Sequence, residues 1–236
     1  MTGLHGYQPG KKERMMSLRA SLEQYRHELA TSLPAEVLEV LSRNTSLLQE
    51  RKLAQQALRV GDTFPKFELI DSEGDSHSLT ALIAKGPLIV SFYRGGWCPY
   101  CVLELKALCD IIDQLPELNT TLVAISPETV EYVAKTKAHN ALNLIVLSDE
   151  DNRLAKDCGL VFKIPDDLLQ QYRNFGISIE AHNGNTAYEI PIPATYVVDK
   201  SGVIRYAFVE EDYTSRAEPN KLLSVLLSLD AQRLDD

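Results

Sequence analysis

The sequence predicts an α/β protein: a central mixed sheet with flanking helices, preceded by an N-terminal helical arm. Short apolar runs, each suited to a strand buried on both faces, alternate with helix-length segments at 87–93, 121–125 and 144–147. Residues 1–57 show only helical spacing, and a turn-rich hairpin pattern lies at each end of the alternating region. Strands that alternate with helices imply a parallel core sheet covered on both faces.

The arm, residues 1–57, is predicted to fold as two helices. Its apolar residues repeat at spacings of three and four along one helix face: Met15, Leu18, Leu22, Tyr25 and Leu29. Pro34 suits the first turn of a second helix, which is predicted to run to about Leu58. We expect this helical hairpin to pack on the domain that follows, residues 58–236. The alternative is a dimerisation arm that joins two copies of the chain into a homodimer.

The rest of the domain is assigned in chain order. Strand patterns at 67–70 and 76–79 flank the turn-forming residues 71–75 and predict a hairpin. Residues 160–190 show no clear period and receive no assignment. The other predicted elements are helices over 101–115, 127–139, 149–156 and 219–229, and a second hairpin that pairs 195–199 with 203–209. This hairpin adds antiparallel strands to the sheet.

Composition and charge exclude several classes of protein. The formal net charge is −9, which argues against nucleic acid and anionic membranes as partners. No apolar run approaches the roughly 18 residues that span a bilayer, and residues 1–14 lack the apolar core of a signal peptide. We therefore expect a cytoplasmic protein. Four cysteines are too few for a secreted disulfide scaffold, and in a reducing compartment a close pair is catalytic or metal-binding.

The most informative segment is F-Y-R-G-G-W-C-P-Y-C, residues 92–101, where a buried strand ends and a helix begins. A helix N-terminus has unpaired backbone N–H groups and about half a positive charge, so it favours a thiolate. In Cys-x-x-Cys motifs this lowers a cysteine pKa from about 8.5 to roughly 3.5–7.5. Pro99 fits just inside the helix, and Gly95 and Gly96 allow a sharp turn. Cys98 is therefore the predicted nucleophile.

Cys101 lies three residues after Cys98, so the two side chains share a helix face. We expect Cys98 to be the more exposed sulfur and Cys101 to resolve the intermediate. Attack of Cys98 on a disulfide gives a mixed disulfide that Cys101 displaces. Attack on a peroxide gives a sulfenic acid with which Cys101 condenses. The residues leave both reactions open, beside a non-catalytic interaction or metal-binding module.

The other cysteines and the histidines argue against a metal site. Zinc usually needs four ligands in two closely spaced pairs. Cys109, Cys158 and the five histidines supply no second pair, so we predict no metal. Cys109 is expected to be a small buried apolar residue, and Cys158 a thiol without a redox role.

Residues 92–101, continued by Glu104 and Leu105, resemble the active-site segment of the AhpC/TSA family, the alkyl hydroperoxide reductases and thiol-specific antioxidants, in a peroxiredoxin-like branch. The resemblance covers about residues 58–230. Residues 60–67 and 71–79 are similar to the family's N-terminal hairpin. Residues 193–199 are similar to its strand facing the active site, and residues 212–219 to the branch's C-terminal segment.

The resemblance implies a thioredoxin-like fold in which Pro193 is a cis-proline opposite Cys98 and Thr195 supports the site. It also implies a thiol-dependent antioxidant oxidoreductase that reduces hydroperoxides through Cys98 and Cys101 without a cofactor. A thiol reductant of the thioredoxin or glutathione type would recycle the pair. The family places Thr or Ser three residues before the peroxidatic cysteine, where this chain has Gly95, and the family's upstream proline is absent. A thioredoxin- or glutaredoxin-like disulfide oxidoreductase without peroxidase activity is therefore the alternative.

Four other side chains near the sulfurs receive expectations. Arg94 either stabilises the Cys98 thiolate in place of the missing hydroxyl or lies in a solvated loop. Trp97 and Tyr100 form an apolar docking surface or pack on the helix start, and we favour docking. Glu104 is expected to face solvent, and proton transfer to Cys101 is its alternative role.

Overall fold

The computed structural model describes residues 17–234, so Met15 and the signal-peptide argument on residues 1–14 lie outside the described residues. The helices are α1 (Leu18–Ser32), α2 (Ala35–Glu50), α3 (Leu79–Lys85), α4 (Pro99–Cys109), α5 (Val130–His139), α6 (Arg153–Asp157), α7 (Asp166–Asn174), α8 (Ile179–Asn183) and α9 (Pro219–Leu234). The strands are β1 (Glu68–Asp71), β2 (Ser76–Ser78), β3 (Leu88–Phe92), β4 (Thr121–Ser126), β5 (Ile145–Ser148), β6 (Val161–Lys163), β7 (Glu189–Pro191), β8 (Ala194–Val198) and β9 (Ile204–Val209).

Seven strands form one mixed sheet in the order β2-β1-β5-β4-β3-β8-β9. β3, β4 and β5 are parallel, and the strands on either side are antiparallel. Every residue of β3 is buried, because successive side chains enter cores on opposite faces of the sheet. Ile89 packs with residues of α1, α4 and α9, whereas Val90 packs with residues of α3 and α6. The predicted fold class, a mixed sheet with flanking helices after N-terminal helices, is confirmed.

Two helices end earlier than predicted, and one region gains structure. α2 stops at Glu50 because Lys52 takes a left-handed conformation, with φ of 53°. α4 stops at Cys109 and is followed by two short 3-10 turns. The unassigned region 160–190 contains α7, α8 and the two-stranded sheet of β6 and β7. Strands of three residues are too short to leave an alternating pattern in the sequence.

The two arm helices pack on the domain that follows them. α1 contacts α4 and α2 contacts α7. Leu18 and Leu22 are buried in the same apolar cluster as Cys98 and Tyr100. The arm therefore covers the start of α4, while the domain division at residue 57 and the homodimer stay predictions. No helix within residues 17–234 is long and apolar enough to span a membrane.

Candidate active site

The site is built where β3 ends and α4 begins. β3 delivers the chain to Gly95, whose φ of +152° turns it away from the sheet. Cys98 is the N-cap of α4, its backbone N–H bonds to the Gly95 carbonyl at 3.1 Å, and Pro99 occupies the first turn. Cys98 therefore lies at the positive end of a helix, as the motif predicts.

The two sulfurs face each other in the interior as free thiols. Burial alone would raise the pKa of Cys98, but a hydrogen bond from Cys101 and the charges of Arg94 and Arg216 lower it to about 5. Burial and the neighbouring Cys98 sulfur raise the pKa of Cys101 well above its usual range. The two arginine charges thus favour a thiolate at Cys98 beside a protonated thiol at Cys101.

Cys98 is the more exposed of the two sulfurs only by a negligible margin, because both are buried. Cys98 is 1% exposed and Cys101 is 0% exposed. The helix start is open in the local motif, but α1 covers it, and Leu18 and Leu22 fill the space above α4. Access to Cys98 therefore depends on a cavity between the arm and the domain.

Arg94 lies in the interior, so the solvated-loop alternative is wrong. Its guanidinium donates to the Tyr172 hydroxyl at 3.0 Å. Its central carbon lies 4.3 Å from the ring centroid of Tyr213 and 4.9 Å from that of Trp97. Aromatic faces stabilise a cation that has lost its water, so the charge can persist beside Cys98.

Arg216, in the loop before α9, was not identified from the sequence. Its Nη2 donates to the Cys101 sulfur at 3.3 Å, and its Nε lies 2.6 Å from Glu104 Oε2. Its Nη1 donates to the backbone carbonyls of Tyr213 and Ser215. The sequence signalled only that segment 212–219 resembles the family, because an arginine this far along the chain has no local link to Cys101. A second buried cation therefore contacts the Cys101 sulfur and acts on Cys98 through its charge.

Glu104 is 1% exposed, so the expectation that it faces solvent is wrong. The loop before α9 covers its helix face. Burial raises its pKa to about 7, although the Arg216 charge opposes this shift and the Thr195 hydroxyl donates to Oε1 at 3.2 Å. Thr195 therefore contacts the site through this carboxylate.

Pro193 is not a cis-proline, since no peptide bond within residues 17–234 is cis. The trans form is the preferred one for X-Pro bonds. The chain simply runs on from β7 through Ile192 into β8, and the Ile192 N–H bonds to the Leu160 carbonyl at 2.9 Å. Pro193 lines a small cavity with Arg94 and Tyr213, beneath α2.

A larger cavity of about 450 Å³ is lined in part by Cys98 and is called the arm cavity here. Trp97 and Tyr100 form part of its wall: Trp97 packs on Tyr172 with centroids 5.0 Å apart, and Tyr100 meets Tyr25 edge-on at 5.0 Å. Six of its lining residues come from the arm: Tyr25, Glu28, Leu29, Ser32, Leu33 and Leu41. The remaining lining residues are Arg94, Trp97, Cys98, Pro99, Tyr100, Tyr172, Phe175, Ile177 and Tyr213. The cavity is thus mostly apolar and aromatic, with one buried cation.

A buried carboxylate that sequence reasoning missed holds the turn before Cys98. Glu128 is 0% exposed and has five polar partners at 2.7–3.4 Å. They are the Gly96 N–H, His182 Nδ1 and the hydroxyls of Tyr93, Ser126 and Thr136. Its position after β4 gave no local signal that it returns to the Gly95–Gly96 turn. Glu128 therefore fixes the backbone that places Cys98.

Gly95 occupies the position at which the resembled family has Thr or Ser, and the structure shows why a side chain does not fit there. A Cβ at Gly95 would lie 2.2 Å from the Trp97 indole nitrogen, far inside van der Waals contact. The φ of +152° is also unfavourable for residues with a side chain. The Trp97 ring thus occupies the space that a threonine side chain would need.

Replacing Gly95 by Thr is expected to lower the free energy of unfolding by about 2–4 kcal/mol, because backbone strain and overpacking add. Gly176→Thr is the matched control, since Gly176 has φ of +78° and no heavy atom within 4 Å of a built Cβ. Strain alone should cost the control about 1–2 kcal/mol. Urea unfolding measures the free energy of unfolding of both variants. Equal losses of that free energy in Gly95→Thr and Gly176→Thr would show that Trp97 moves aside without cost.

Comparisons with known proteins show which family the chain resembles. The model of the AhpC/TSA family matches residues 60–207. Peroxiredoxin Bcp of Escherichia coli K12 is 30% identical over 103 residues, which cover 44% of this chain and 65% of the relative. The chloroplastic peroxiredoxin Q of Sedum lineare is 29% identical over 169 residues, 72% of this chain and 76% of that protein. The match thus spans just under two thirds of the length of Bcp.

Solved structures show the same fold. Peroxidoxin BcpB from Mycobacterium tuberculosis aligns with a TM-score of 0.57 at 22% identity, over 74% of this chain and 97% of that one. A cysteine-to-serine mutant of PrxQ from Xylella fastidiosa aligns with a TM-score of 0.56 at 17% identity, over 75% and 98%. The family model covers well over half of the chain and includes both sulfurs of the motif. The protein therefore belongs to the AhpC/TSA family.

Proposed function

We propose that the protein is a thiol peroxidase that reduces hydroperoxides with Cys98 as the nucleophile and Cys101 as the resolving cysteine. The observation that carries the proposal is the pair of hydrogen-bonded sulfurs at the start of α4 between two buried arginines. A lowered pKa supplies the thiolate, and a neighbouring protonated thiol supplies the second sulfur.

The reaction runs in two balanced steps. The Cys98 thiolate attacks the terminal oxygen of ROOH, the O–O bond breaks, and RO⁻ takes a proton and leaves as an alcohol. Cys98 is then a sulfenic acid. The Cys101 sulfur attacks that sulfur, hydroxide takes the Cys101 proton and leaves as water, and a disulfide remains. In the first step Arg94 stabilises the negative charge that the family hydroxyl would otherwise help to hold.

The substrate proposed is an organic hydroperoxide with an apolar R group. The arm cavity is lined by Cys98 together with aromatic and aliphatic side chains, and its volume of about 450 Å³ falls in the range of small-molecule sites. The disulfide oxidoreductase alternative has less support, because a protein disulfide would have to reach a sulfur that is 1% exposed. No group of three or more His, Cys, Asp or Glu among residues 17–234 is arranged to hold a metal ion.

Intact-mass spectrometry of the reduced protein tests the proposal. One equivalent of cumene hydroperoxide is expected to remove about 2 Da from the wild type as a disulfide forms, and to add about 16 Da to Cys101→Ser as a sulfenic acid. Cys98→Ser should show neither change. Peroxide consumption that is equal in Cys98→Ser and the wild type would contradict the proposed nucleophile. A Cys109→Ser variant controls for Cys109, the one partly exposed thiol among the four cysteines.

A further inference from the structure

We infer that the oxidised protein is recycled by a low-molecular-weight thiol that carries a carboxylate and enters the arm cavity, and not by a folded protein reductant. The inference rests on the proposed function, because it concerns the disulfide of Cys98 and Cys101. It narrows the reductants expected from the sequence, which were of the thioredoxin or the glutathione type.

The first argument is access to sulfur. Thiol–disulfide exchange passes through a mixed disulfide, in which the incoming sulfur comes within about 2.05 Å of Cys98 Sγ. Cys98 is buried in the apolar cluster that includes Leu18 and Leu22 of α1, and it lines the arm cavity. Protein partners that exchange electrons still bury several hundred Å² around the contact. A thioredoxin-like partner would therefore have to displace α1.

The second argument is that α1 is fixed at several points. Leu18 and Leu22 are buried against α4 and α9. The Arg19 backbone N–H donates to Glu218 Oε1 at 2.7 Å. The Arg26 guanidinium lies 3.3 Å from Asp212 Oδ2 and also donates to the hydroxyl of Thr214. These contacts tie α1 to the segment that also carries Arg216, so its displacement would disturb the site itself.

The third argument is the chemistry of the cavity. Its volume of about 450 Å³ accommodates a tripeptide-sized molecule. The Nε of Arg94 is buried and has no hydrogen-bond partner within the described part of the chain. A buried cation with a free donor binds a carboxylate well. The exposed Glu28 also lines the cavity; its Oε1 accepts from Gln24 Nε2 at 2.8 Å, and the carboxylate can in addition receive an ammonium group. A small zwitterionic thiol matches both charges.

The exchange balances with two thiols. A first thiolate attacks Cys98 Sγ, and the S–S electron pair goes to Cys101, which leaves beside the Arg216 guanidinium at 3.3 Å and takes up a proton. A second thiolate attacks the sulfur of the bound small thiol. The Cys98 thiolate leaves, and a symmetric small disulfide is released. Two small thiols are oxidised, and the protein disulfide is reduced to a dithiol.

The test uses the full chain with its disulfide formed by diamide, so peroxide chemistry plays no part. Reduction by glutathione and by thioredoxin is followed by mass-spectrometric counting of alkylated cysteines. Leu22→Asp releases α1 by burying a charge, and His27→Asp puts the same charge on the exposed face of the helix. We expect thioredoxin to act at least tenfold faster on Leu22→Asp than on the wild type, and equally on His27→Asp and the wild type. A wild-type disulfide that thioredoxin reduces as fast as that of Leu22→Asp would overturn the inference.

Leu29→Trp is the second variant, which tests the cavity without releasing α1. A larger side chain at Leu29 fills part of the arm cavity. We expect glutathione to reduce this variant at least fivefold more slowly, with unchanged circular dichroism. An unchanged glutathione rate in a folded variant would overturn entry through the cavity. The proposed function has its own test: it fails if neither diamide nor a hydroperoxide forms the disulfide between Cys98 and Cys101, whatever the two reductants do.

Discussion

Replacing Arg94 by methionine is expected to slow the reaction of the reduced protein with a hydroperoxide roughly tenfold to thirtyfold at pH 7. The Arg94 charge helps to lower the pKa of Cys98 to about 5, against the effect of burial. Without that charge the pKa moves towards the ordinary value of about 8.5, at which only a few per cent of the thiol is ionised at neutral pH. The part of the loss that comes from ionisation of Cys98 should therefore disappear as the pH rises above about 8.5, and any loss that persists there measures the stabilisation that Arg94 gives to the reacting oxygen.

Stopped-flow fluorescence over pH 4–10 measures this effect, because the chain has a single tryptophan, Trp97, next to Cys98. Arg94→Lys keeps the charge and should retain most of the rate at pH 7. Arg205 lies on β9, away from the site, and is paired with Asp199. Arg205→Met should therefore leave the pH profile of the reaction rate unchanged. A methionine variant at position 94 with the wild-type pH profile would show that Arg94 does not set the ionisation of Cys98.

The second large effect concerns how stability depends on pH. Burial raises the pKa of Glu104 to about 7 from its ordinary value near 4.5. Between these values the folded protein holds a proton that the unfolded chain has released. The free energy of unfolding must therefore fall as the pH rises through this window, by about 3 kcal/mol at 1.36 kcal/mol per pKa unit. In Glu104→Gln this contribution is absent.

Urea unfolding at several pH values between 4.5 and 8 measures the difference in the free energy of unfolding between the wild type and Glu104→Gln. Relative to the wild type, Glu104→Gln should become more stable as the pH rises, because burial of the carboxylate costs more than its attraction to Arg216 returns. Glu36→Gln, at an exposed position of α2, controls for the loss of a carboxylate and should show no such trend. Parallel curves for Glu104→Gln and the wild type would mean that Glu104 is ionised throughout the window.

The position of Cys98 could be predicted because local signals determine it. A buried apolar run, two glycines and a proline are enough to end β3, turn the chain and begin α4. The three parallel strands and both hairpins follow in the same way from short patterns of apolar and turn residues. Strand alternation and turn chemistry act over a few neighbours, so the sequence itself displays them.

The surroundings of the sulfurs could not be predicted because they depend on distant parts of the chain. Arg216 follows Cys101 by 115 residues, and only the packing of the loop before α9 brings the two together. Glu104 was expected to face solvent and Cys98 to be more exposed than Cys101, since a single helix face cannot reveal what will cover it. The arm helix α1 and that loop supply the cover.

The contrast among the four thiols makes the protein convenient to titrate. Burial raises the pKa values of Cys109 and Cys158, and burial together with its neighbour raises that of Cys101. In a mildly acidic buffer only Cys98 then carries the negative charge that an alkylating reagent needs. A small iodoacetamide probe should therefore label one residue per chain, and the amount of label would count the functional molecules in any preparation.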